Sequence, residues 1–132
     1  MTSSSHSVAK LFPEGDGNLG VIEFADAPFV PRRLFWLYGV EPDAMRADHA
    51  HRTCHQLLVC LVGTVTAIVT DGSGQVSRHP LTAGETYHLV PLHWLQLVEF
   101  SGDAVLGVLA SEPYRMGEYI TTLDELRELT KN

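Results

Sequence analysis

Three histidines lie close together in the segment MRADHAHRTCHQLLVCLVGTV, residues 45 to 65. In an extended strand, residues two apart face the same side, so we expect His49 and His51 to project together. Imidazole has an unperturbed pKa of about 6.5, which suits both acid and base catalysis near neutral pH, and it is also a common metal ligand. The pair therefore predicts either a proton-transfer site or a metal site.

Polar residues flank this pair on both sides. Arg46 lies in the loop that enters the strand, and Gln56 begins a long apolar run. A straight strand would put His55 on the same face as the pair, whereas a turn over residues 52–55 would bring Gln56 to the interior. The sequence leaves both arrangements open. The apolar strands that follow suggest an enclosed pocket with a polar mouth, which is a common setting for a ligand site.

Most of the chain has the pattern of short strands separated by Gly, Pro or Asp-containing turns. A tight bend is expected at Gly63, inside the longest apolar segment. The even spacing of about ten residues predicts an all-β sandwich or barrel of seven or eight strands. The predicted strand segments are 18–24, 32–40, 56–72, 75–81, 85–90, 93–100 and 104–110.

The end of the chain has a helical pattern instead. Thr122 is a predicted N-cap with Glu125 three residues later, which is a capping box. Leucines at 123, 126 and 129 follow at helical spacing, so one C-terminal helix is expected to pack on the barrel.

Length and composition favour one small domain. A chain of 132 residues can form a single core, and we assign residues 11–132 to it with residues 1–10 as a flexible N-terminus. The formal charge of −7 argues against nucleic acid as a partner. Cys54 and Cys60 fit reduced thiols rather than a disulfide framework.

Two further observations concern location. No apolar run approaches the ~20 residues that a membrane span needs. The first residues lack a secretory signal, so a cytoplasmic location is expected.

The H-x-H pair followed by Gln56 resembles the first cupin motif, in which two His and a Glu bind a metal. Gln replaces the glutamate here, and Leu95 or Gln96 stands where the second cupin motif would supply a histidine. A neutral amide is a poor substitute for a carboxylate on a divalent ion. The expectation is therefore a cupin without a bound metal.

A closer resemblance is to the sugar nucleotide 3,4-ketoisomerases, cupins that act on dTDP-4-keto-6-deoxyglucose. It spans roughly residues 11 to 130 and includes PFVPRRLFWLY, RADHAHRTCHQLLVCLVGTV, LVPLHWLQLVEFSGDAVLGVLAS and EPYRMGEYI. It implies a cupin jelly-roll barrel of short antiparallel strands, a dTDP-linked keto sugar as partner, and a homodimer that exchanges an N-terminal strand. Phe35 and Trp36 replace an aromatic pair that contains Tyr in the family, which leaves Tyr38 as a source of the phenol.

The resemblance implies an isomerisation through an enediol in 3-amino deoxysugar biosynthesis, with no cofactor. We expect His49 to remove the proton at C3 and return one to C4, while His51 carries the proton between the two oxygens; the roles could be reversed. Arg46 is the expected cation for the enediolate. Gln56 would hydrogen-bond a sugar hydroxyl or orient an imidazole.

Further residues are candidates for binding the nucleotide. Arg33 and Arg115 would hold the pyrophosphate, for which a guanidinium is well shaped. Tyr114 or Trp94 would stack on the thymine.

Three alternatives remain open from the sequence. A metal-dependent cupin such as a dioxygenase would need His55 or His93 to complete its ligand set. A non-catalytic cupin would bind the sugar nucleotide without turnover, and a 3,5-epimerase would act on the same substrate. The configuration at C4 of the product is also left open.

Overall fold

A computed structural model describes residues 8–131, which form eleven strands and one α-helix. The strands outnumber the seven or eight predicted because β1 and β11 were not foreseen and the histidine segment forms a strand of its own. The elements are β1 (Lys10–Glu14), β2 (Gly17–Val21), β3 (Arg33–Tyr38), β4 (Arg46–His51), β5 (Gln56–Val62), β6 (Thr64–Thr70), β7 (Val76–Thr82), β8 (Thr86–Leu89), β9 (Trp94–Val98), β10 (Val105–Ala110), β11 (Tyr119–Ile120) and α1 (Leu123–Thr130).

Two antiparallel sheets form the body of the molecule. One has four strands in the order β3-β10-β5-β8, and the other has five in the order β11-β4-β9-β6-β7. The strands β1 and β2 pair with each other as a separate hairpin. This arrangement confirms the predicted all-β cupin barrel with a C-terminal helix.

The main core lies between the two sheets and follows the two-residue period of the strands. Leu58 and Cys60 of β5 point inward and are buried. Leu95 and Leu97 of β9 also point inward and are buried. The inward face of the barrel is therefore apolar over most of its length, and the polar residues described below lie on or next to β3, β4, β5 and β11.

Gly63 allows the chain to pass from one sheet to the other between β5 and β6. Its φ is +75°, a conformation that favours glycine, and a Cβ there would lie 2.2 Å from Ser101 Oγ. The predicted tight bend at Gly63 is confirmed.

The helix covers a second, smaller core on the outer face of the five-stranded sheet. Thr122 Oγ1 accepts a hydrogen bond from the Glu125 backbone N–H at 3.1 Å, as the capping prediction required. Of the three leucines at helical spacing, Leu126 is fully buried, while Leu123 and Leu129 are exposed. The buried members of this cluster are Ala50, Trp94, Ile120 and Leu126.

The N-terminal prediction falls partly outside the described residues, which exclude 1–7. Residues 8–10 are part of the folded structure: the Val8 N–H donates to Thr86 Oγ1 at 3.3 Å, and Lys10 begins β1. None of the helices formed by residues 8–131 is both long and apolar enough to cross a membrane.

Candidate active site

His49 and His51 lie at the end of β4 and face the interior of the barrel. His49 pairs with Leu95, a core residue, while Ala50 between the histidines belongs to the cluster under the helix. The two imidazole centroids are 5.1 Å apart in an edge-to-face arrangement, and His51 is only 2% exposed. The prediction that these side chains project together is confirmed.

A β-bulge precedes the pair. Ala47 and Asp48 have φ values of +68° and +65°, and the pairing with β9 shifts register between Ala47 and His49. Such conformations cost non-glycine residues about 1 kcal/mol or more. The Asp48 carboxylate holds the bulge in place, because it accepts hydrogen bonds from Trp94 Nε1 at 3.1 Å and Gln96 Nε2 at 3.2 Å.

The bulge also fixes the tautomer of His49. Its Nδ1 lies 3.1 Å from the carbonyl oxygen of Ala47, and because a carbonyl can only accept, Nδ1 carries the proton. Nε2 therefore carries the lone pair and is the atom that can act as a base. Burial lowers the pKa of His49 below its ordinary value, against smaller opposite effects of the Ala47 carbonyl and the Asp48 charge.

His51 is neutral over the physiological range. Burial and then the neighbouring His49 lower its pKa to about 4; the Arg33 charge acts in the same direction, and Glu118 opposes them. Neither ring nitrogen hydrogen-bonds another residue within 8–131. A neutral imidazole has one donor and one acceptor nitrogen, so His51 can both release and receive a proton.

Glu118 lies behind His51, with its Oε2 3.9 Å from His51 Nδ1. Its carboxylate accepts hydrogen bonds from the backbone N–H groups of Thr53 and Cys54, both at 2.6 Å, and from Thr53 Oγ1 at 2.9 Å. Burial acts to raise the pKa of Glu118, but these hydrogen bonds outweigh it and the net pKa is lowered. The residue is an ionised, nearly buried carboxylate.

Tyr119 completes the group around the histidines. It pairs with His51 across β11 and β4, and its ring centroid lies 4.8 Å from that of His49 and 4.7 Å from that of His51. Tyr114 was the residue predicted from the sequence in this stretch; Tyr119 and Glu118 were not predicted. A two-residue strand has no periodic signal that would have identified them.

Arg33 is the arginine whose charge acts on His51. On β3, Arg33 and Phe35 are half-buried and alternate with exposed residues. The Arg33 Cζ lies 5.2 Å from the Phe35 ring centroid and 5.7 Å from that of Tyr114, and its buried Nε hydrogen-bonds no other residue in the described range. Its charge is close enough to contribute to the lowered pKa of His51.

The other two predicted arginines lie on the surface. Arg46 is exposed and its Nη1 donates to the carbonyl of Met45 at 3.3 Å. Arg115 is exposed and forms an ion pair with Glu112. Of the three, Arg33 is the one whose charge acts on His51. Arg46 was predicted to be the cation for the enediolate, and Arg33 was predicted to hold the pyrophosphate.

The segment 52–55 makes the turn that was one of the two open alternatives. Gln56 is therefore the first residue of β5, is 4% exposed, and shares the inward face with Leu58. His55 does not join the pair on β4. Its Nδ1 lies 2.9 Å from His88 Nε2, and the two rings stack at 5.2 Å.

Two aromatic predictions need correction. Trp94, on β9, is 4% exposed and packs under the helix with Ala50. This is the side of the sheet opposite the histidines, so Trp94 is not available to stack on a nucleotide base. Tyr38 is 71% exposed on the outer face of β3, whereas Phe35 faces inward, so Tyr38 does not supply a phenol to the site. Tyr114 is 61% exposed, and its ring centroid lies 5.9 Å from that of Tyr119.

No three His, Cys, Asp or Glu side chains within residues 8–131 are grouped as a metal site would require. Two neutral imidazoles, a phenol, a buried carboxylate and a guanidinium lie close together here. This set of groups can move protons and stabilise a developing negative charge.

Comparison with known protein families assigns the chain to one of them. Residues 3–131 match the family model described as FdtA: WxcM-like, C-terminal. The chain belongs to this family. The match covers nearly the whole chain, so the family assignment applies to the barrel and the helix together.

The relatives are sugar-nucleotide ketoisomerases. The TDP-4-oxo-6-deoxy-alpha-D-glucose-3,4-oxoisomerase of Aneurinibacillus thermoaerophilus is 29% identical over 121 residues, which are 90% of this chain and 86% of that protein. The 3,4-ketoisomerase QdtA of Thermoanaerobacterium thermosaccharolyticum, solved as a histidine-to-asparagine mutant with TDP-4-keto-6-deoxyglucose, superposes with a TM-score of 0.90. It shares 28% identity, over 98% of this chain and 94% of that one.

A third relative is WlaRA, the TDP-fucose-3,4-ketoisomerase of Campylobacter jejuni. It has a TM-score of 0.88 and 25% identity, over 99% of this chain and 97% of that one.

Proposed function

We propose that this protein converts a TDP-4-keto-6-deoxyhexose into its 3-keto isomer by proton transfer through an enediol. The observation that carries the proposal is the inward-facing pair of neutral imidazoles, with His49 Nε2 available as a base. The relatives of known activity, which cover almost the whole chain, support the same reaction and substrate class.

The reaction moves hydrogen only and needs no net oxidant. His49 Nε2 removes the proton from C3, and the electrons of the C3–H bond form the enediolate. His51 receives the proton of the C3 hydroxyl and gives it to the oxygen on C4. His49 then returns a proton to C4, which leaves the ketone at C3 and restores both imidazoles.

Three neighbouring groups stabilise this sequence. The Arg33 guanidinium balances the charge on the enediolate oxygen, where a fixed cation in a dry pocket stabilises the transition state by several kcal/mol. The Tyr119 hydroxyl donates a hydrogen bond to a hexose oxygen. Gln56, buried on the inward face of β5, orients the sugar or an imidazole.

The nucleotide end of the substrate is proposed to lie near Tyr114 and Arg115, outside the group of histidines. Tyr114 is exposed there and stacks on the thymine. Arg115 is also exposed; it exchanges its ion pair with Glu112 for one with the pyrophosphate. Arg46 has a peripheral electrostatic role.

The decisive test is incubation of the protein with TDP-4-keto-6-deoxyglucose in deuterated water, followed by NMR of the sugar. The expected result is a 3-keto product that carries deuterium at C4. Binding of the sugar nucleotide without exchange at enzyme concentrations equal to substrate would favour the non-catalytic alternative. Deuterium at C3 and C5 with the ketone still at C4 would favour a 3,5-epimerase.

We also propose a homodimer. The outer face of the four-stranded sheet and the hairpin β1–β2 together line a cleft of about 740 Å³ whose walls are mostly apolar. Large apolar side chains are exposed on this face, including Trp36 at 54%, Leu34 at 57%, Leu61 at 54% and Leu11 at 59%. Apolar patches of this kind mark interaction surfaces, and exchange of the N-terminal strand between two copies would cover it.

Light scattering of the purified protein tests this proposal. A mass of twice 14.5 kDa is expected, and Trp36→Asp should shift it to the monomer. Arg78→Asp, on the opposite sheet, is the control and should leave the dimer intact. A monomeric wild type at micromolar concentration would contradict the proposal.

A further inference from the structure

A carboxylate that the mechanism above does not use lies directly behind one of the two imidazoles. Glu118 Oε2 is 3.9 Å from His51 Nδ1, and Glu118 is 8% exposed. The distance is too long for a hydrogen bond but short enough for a strong electrostatic effect inside a protein. The other side of His51 faces His49 and Tyr119, where the hexose is proposed to bind.

The carboxylate is held in a fixed position by the turn that follows β4. Two backbone N–H groups, of Thr53 and Cys54, donate to the same oxygen that approaches His51, and the Thr53 hydroxyl donates to the other. The Arg52 N–H also donates to the main-chain carbonyl of Glu118 at 3.0 Å. Glu118 therefore joins the C-terminal segment to the histidine strand and keeps its charge there.

We propose that Glu118 is a positioning residue that orients His51 with its proton on Nδ1 and stabilises the imidazolium that forms when Nε2 accepts a proton from the sugar. The inference rests on the proposed function, because it assigns a source of stabilisation to the proton carried by His51. It places a negative charge beside the imidazolium that His51 forms during the reaction.

The stabilisation is needed because the surroundings of His51 oppose its protonation. Burial, His49 and Arg33 all disfavour the imidazolium, whereas Glu118 is the neighbour that favours it. Without this carboxylate the proton would have to move onto a buried imidazole with no counter-charge beside it. Arg33 cannot take this part, since its own charge is positive.

The substitution Glu118→Gln separates charge from structure. The Gln amide oxygen can accept the N–H groups of Thr53 and Cys54, and its NH2 can donate to the Thr53 hydroxyl, so the turn is retained. Only the negative charge is lost. Thr53→Ala is the matched control, because it removes one hydrogen bond to the carboxylate and leaves the charge in place.

The experiment measures kcat and KM against pH for wild type, E118Q and T53A, and titrates the His51 imidazole by NMR in each free protein. For E118Q we expect kcat to fall about 10- to 100-fold, with KM within about threefold. We also expect the pKa of His51 to fall by about one unit, since an opposite charge at this distance has an effect of that size. T53A should stay within about threefold of wild type in kcat.

A folded E118Q with wild-type kcat and an unchanged His51 titration would overturn the inference. If E118Q does not fold, E118D takes its place, because aspartate keeps the negative charge. For E118D we expect a kcat within about tenfold of wild type and an unchanged His51 titration. Loss of activity to the level of His51→Asn in a folded E118D would then overturn it. A wild-type protein that catalyses no exchange would instead refute the proposed function, while the NMR titration would still decide whether Glu118 and His51 are coupled.

Discussion

The molecule contains two imidazole pairs of nearly equal spacing in very different surroundings. In the His49–His51 pair the ring centroids are 5.1 Å apart and the rings meet edge to face. In the His55–His88 pair they are 5.2 Å apart, the rings stack, and Nδ1 of His55 lies 2.9 Å from Nε2 of His88. The spacing of the rings alone does not distinguish the two pairs.

The difference lies in which nitrogens remain available. In the His55–His88 pair, called the outer pair, a nitrogen of one imidazole donates a hydrogen bond to a nitrogen of the other. The ring of Phe29 lies beside both imidazoles. In the inner pair His49 uses Nδ1 on a backbone carbonyl and retains a free Nε2, and neither nitrogen of His51 bonds a residue in the described part of the chain. The inner pair also lies among groups of both charges, which the mechanism requires.

The largest effects are predicted for substitutions in the inner pair, His49 and His51. His49→Asn and His51→Asn should each reduce the rate of isomerisation by about 10²- to 10⁴-fold, because each removes a proton carrier. Turnover of the keto sugar nucleotide, followed by NMR, measures the loss. Either variant at full activity would mean that the assigned proton carrier is wrong.

The second prediction compares two arginines. Arg33→Met should lower kcat by about 10²-fold, as expected for the loss of a charge that stabilises the enediolate, with a near-normal thermal unfolding temperature. Arg46→Met, exposed and bonded to its own neighbour's carbonyl, is the matched control and should change kcat by no more than about threefold. The reverse order would restore Arg46 as the catalytic cation.

The third prediction concerns stability against pH. The pKa of His51 is about 4 in the folded protein and 6.5 for a free imidazole, so the unfolded chain binds the proton first as the pH falls. The stability contributed by neutral His51 is therefore present above pH 6.5 and is lost progressively as the pH falls toward 4. Between pH 7.5 and 4.5 the wild type should lose about 2–3 kcal/mol that His51→Asn does not lose, measured by urea unfolding. Equal losses in the two proteins would place the His51 pKa near its ordinary value.

A smaller effect is expected at Tyr119. Tyr119→Phe keeps the ring that packs on both histidines and removes only the hydroxyl, so kcat should fall about 3- to 10-fold, the value of one neutral hydrogen bond. Tyr114→Phe keeps the stacking surface and should leave kcat nearly unchanged. Single-turnover measurements of the rate of isomerisation distinguish the Tyr119→Phe variant from the Tyr114→Phe variant. A larger loss than that of His51→Asn would make the phenol a proton carrier in its own right.

The smallest effect belongs to the outer histidine pair. His55→Asn should cost about 1 kcal/mol of stability through the lost hydrogen bond to His88, and should change kcat by less than about twofold. Chemical denaturation and the same turnover assay measure both quantities. A tenfold loss of kcat would show that the outer pair contributes to catalysis.

Features that depend on near neighbours along the chain could be predicted from the sequence. The two-residue period of a strand placed His49 and His51 on one face, Gly63 marked the bend between the sheets, and Thr122 marked the start of the helix. These features follow from local backbone geometry, which the chain carries in short segments.

Tertiary structure alone decided the rest of the site. The bulge at Ala47 and Asp48 interrupts the two-residue period between Arg46 and the histidines, so alternation could not show whether Arg46 shares their face. Tyr119 and Glu118 reach His51 through pairing across more than sixty residues, as the contact of Glu118 with Thr53 illustrates. The side of the sheet that Trp94 occupies became clear only from the packing of α1, which covers that side.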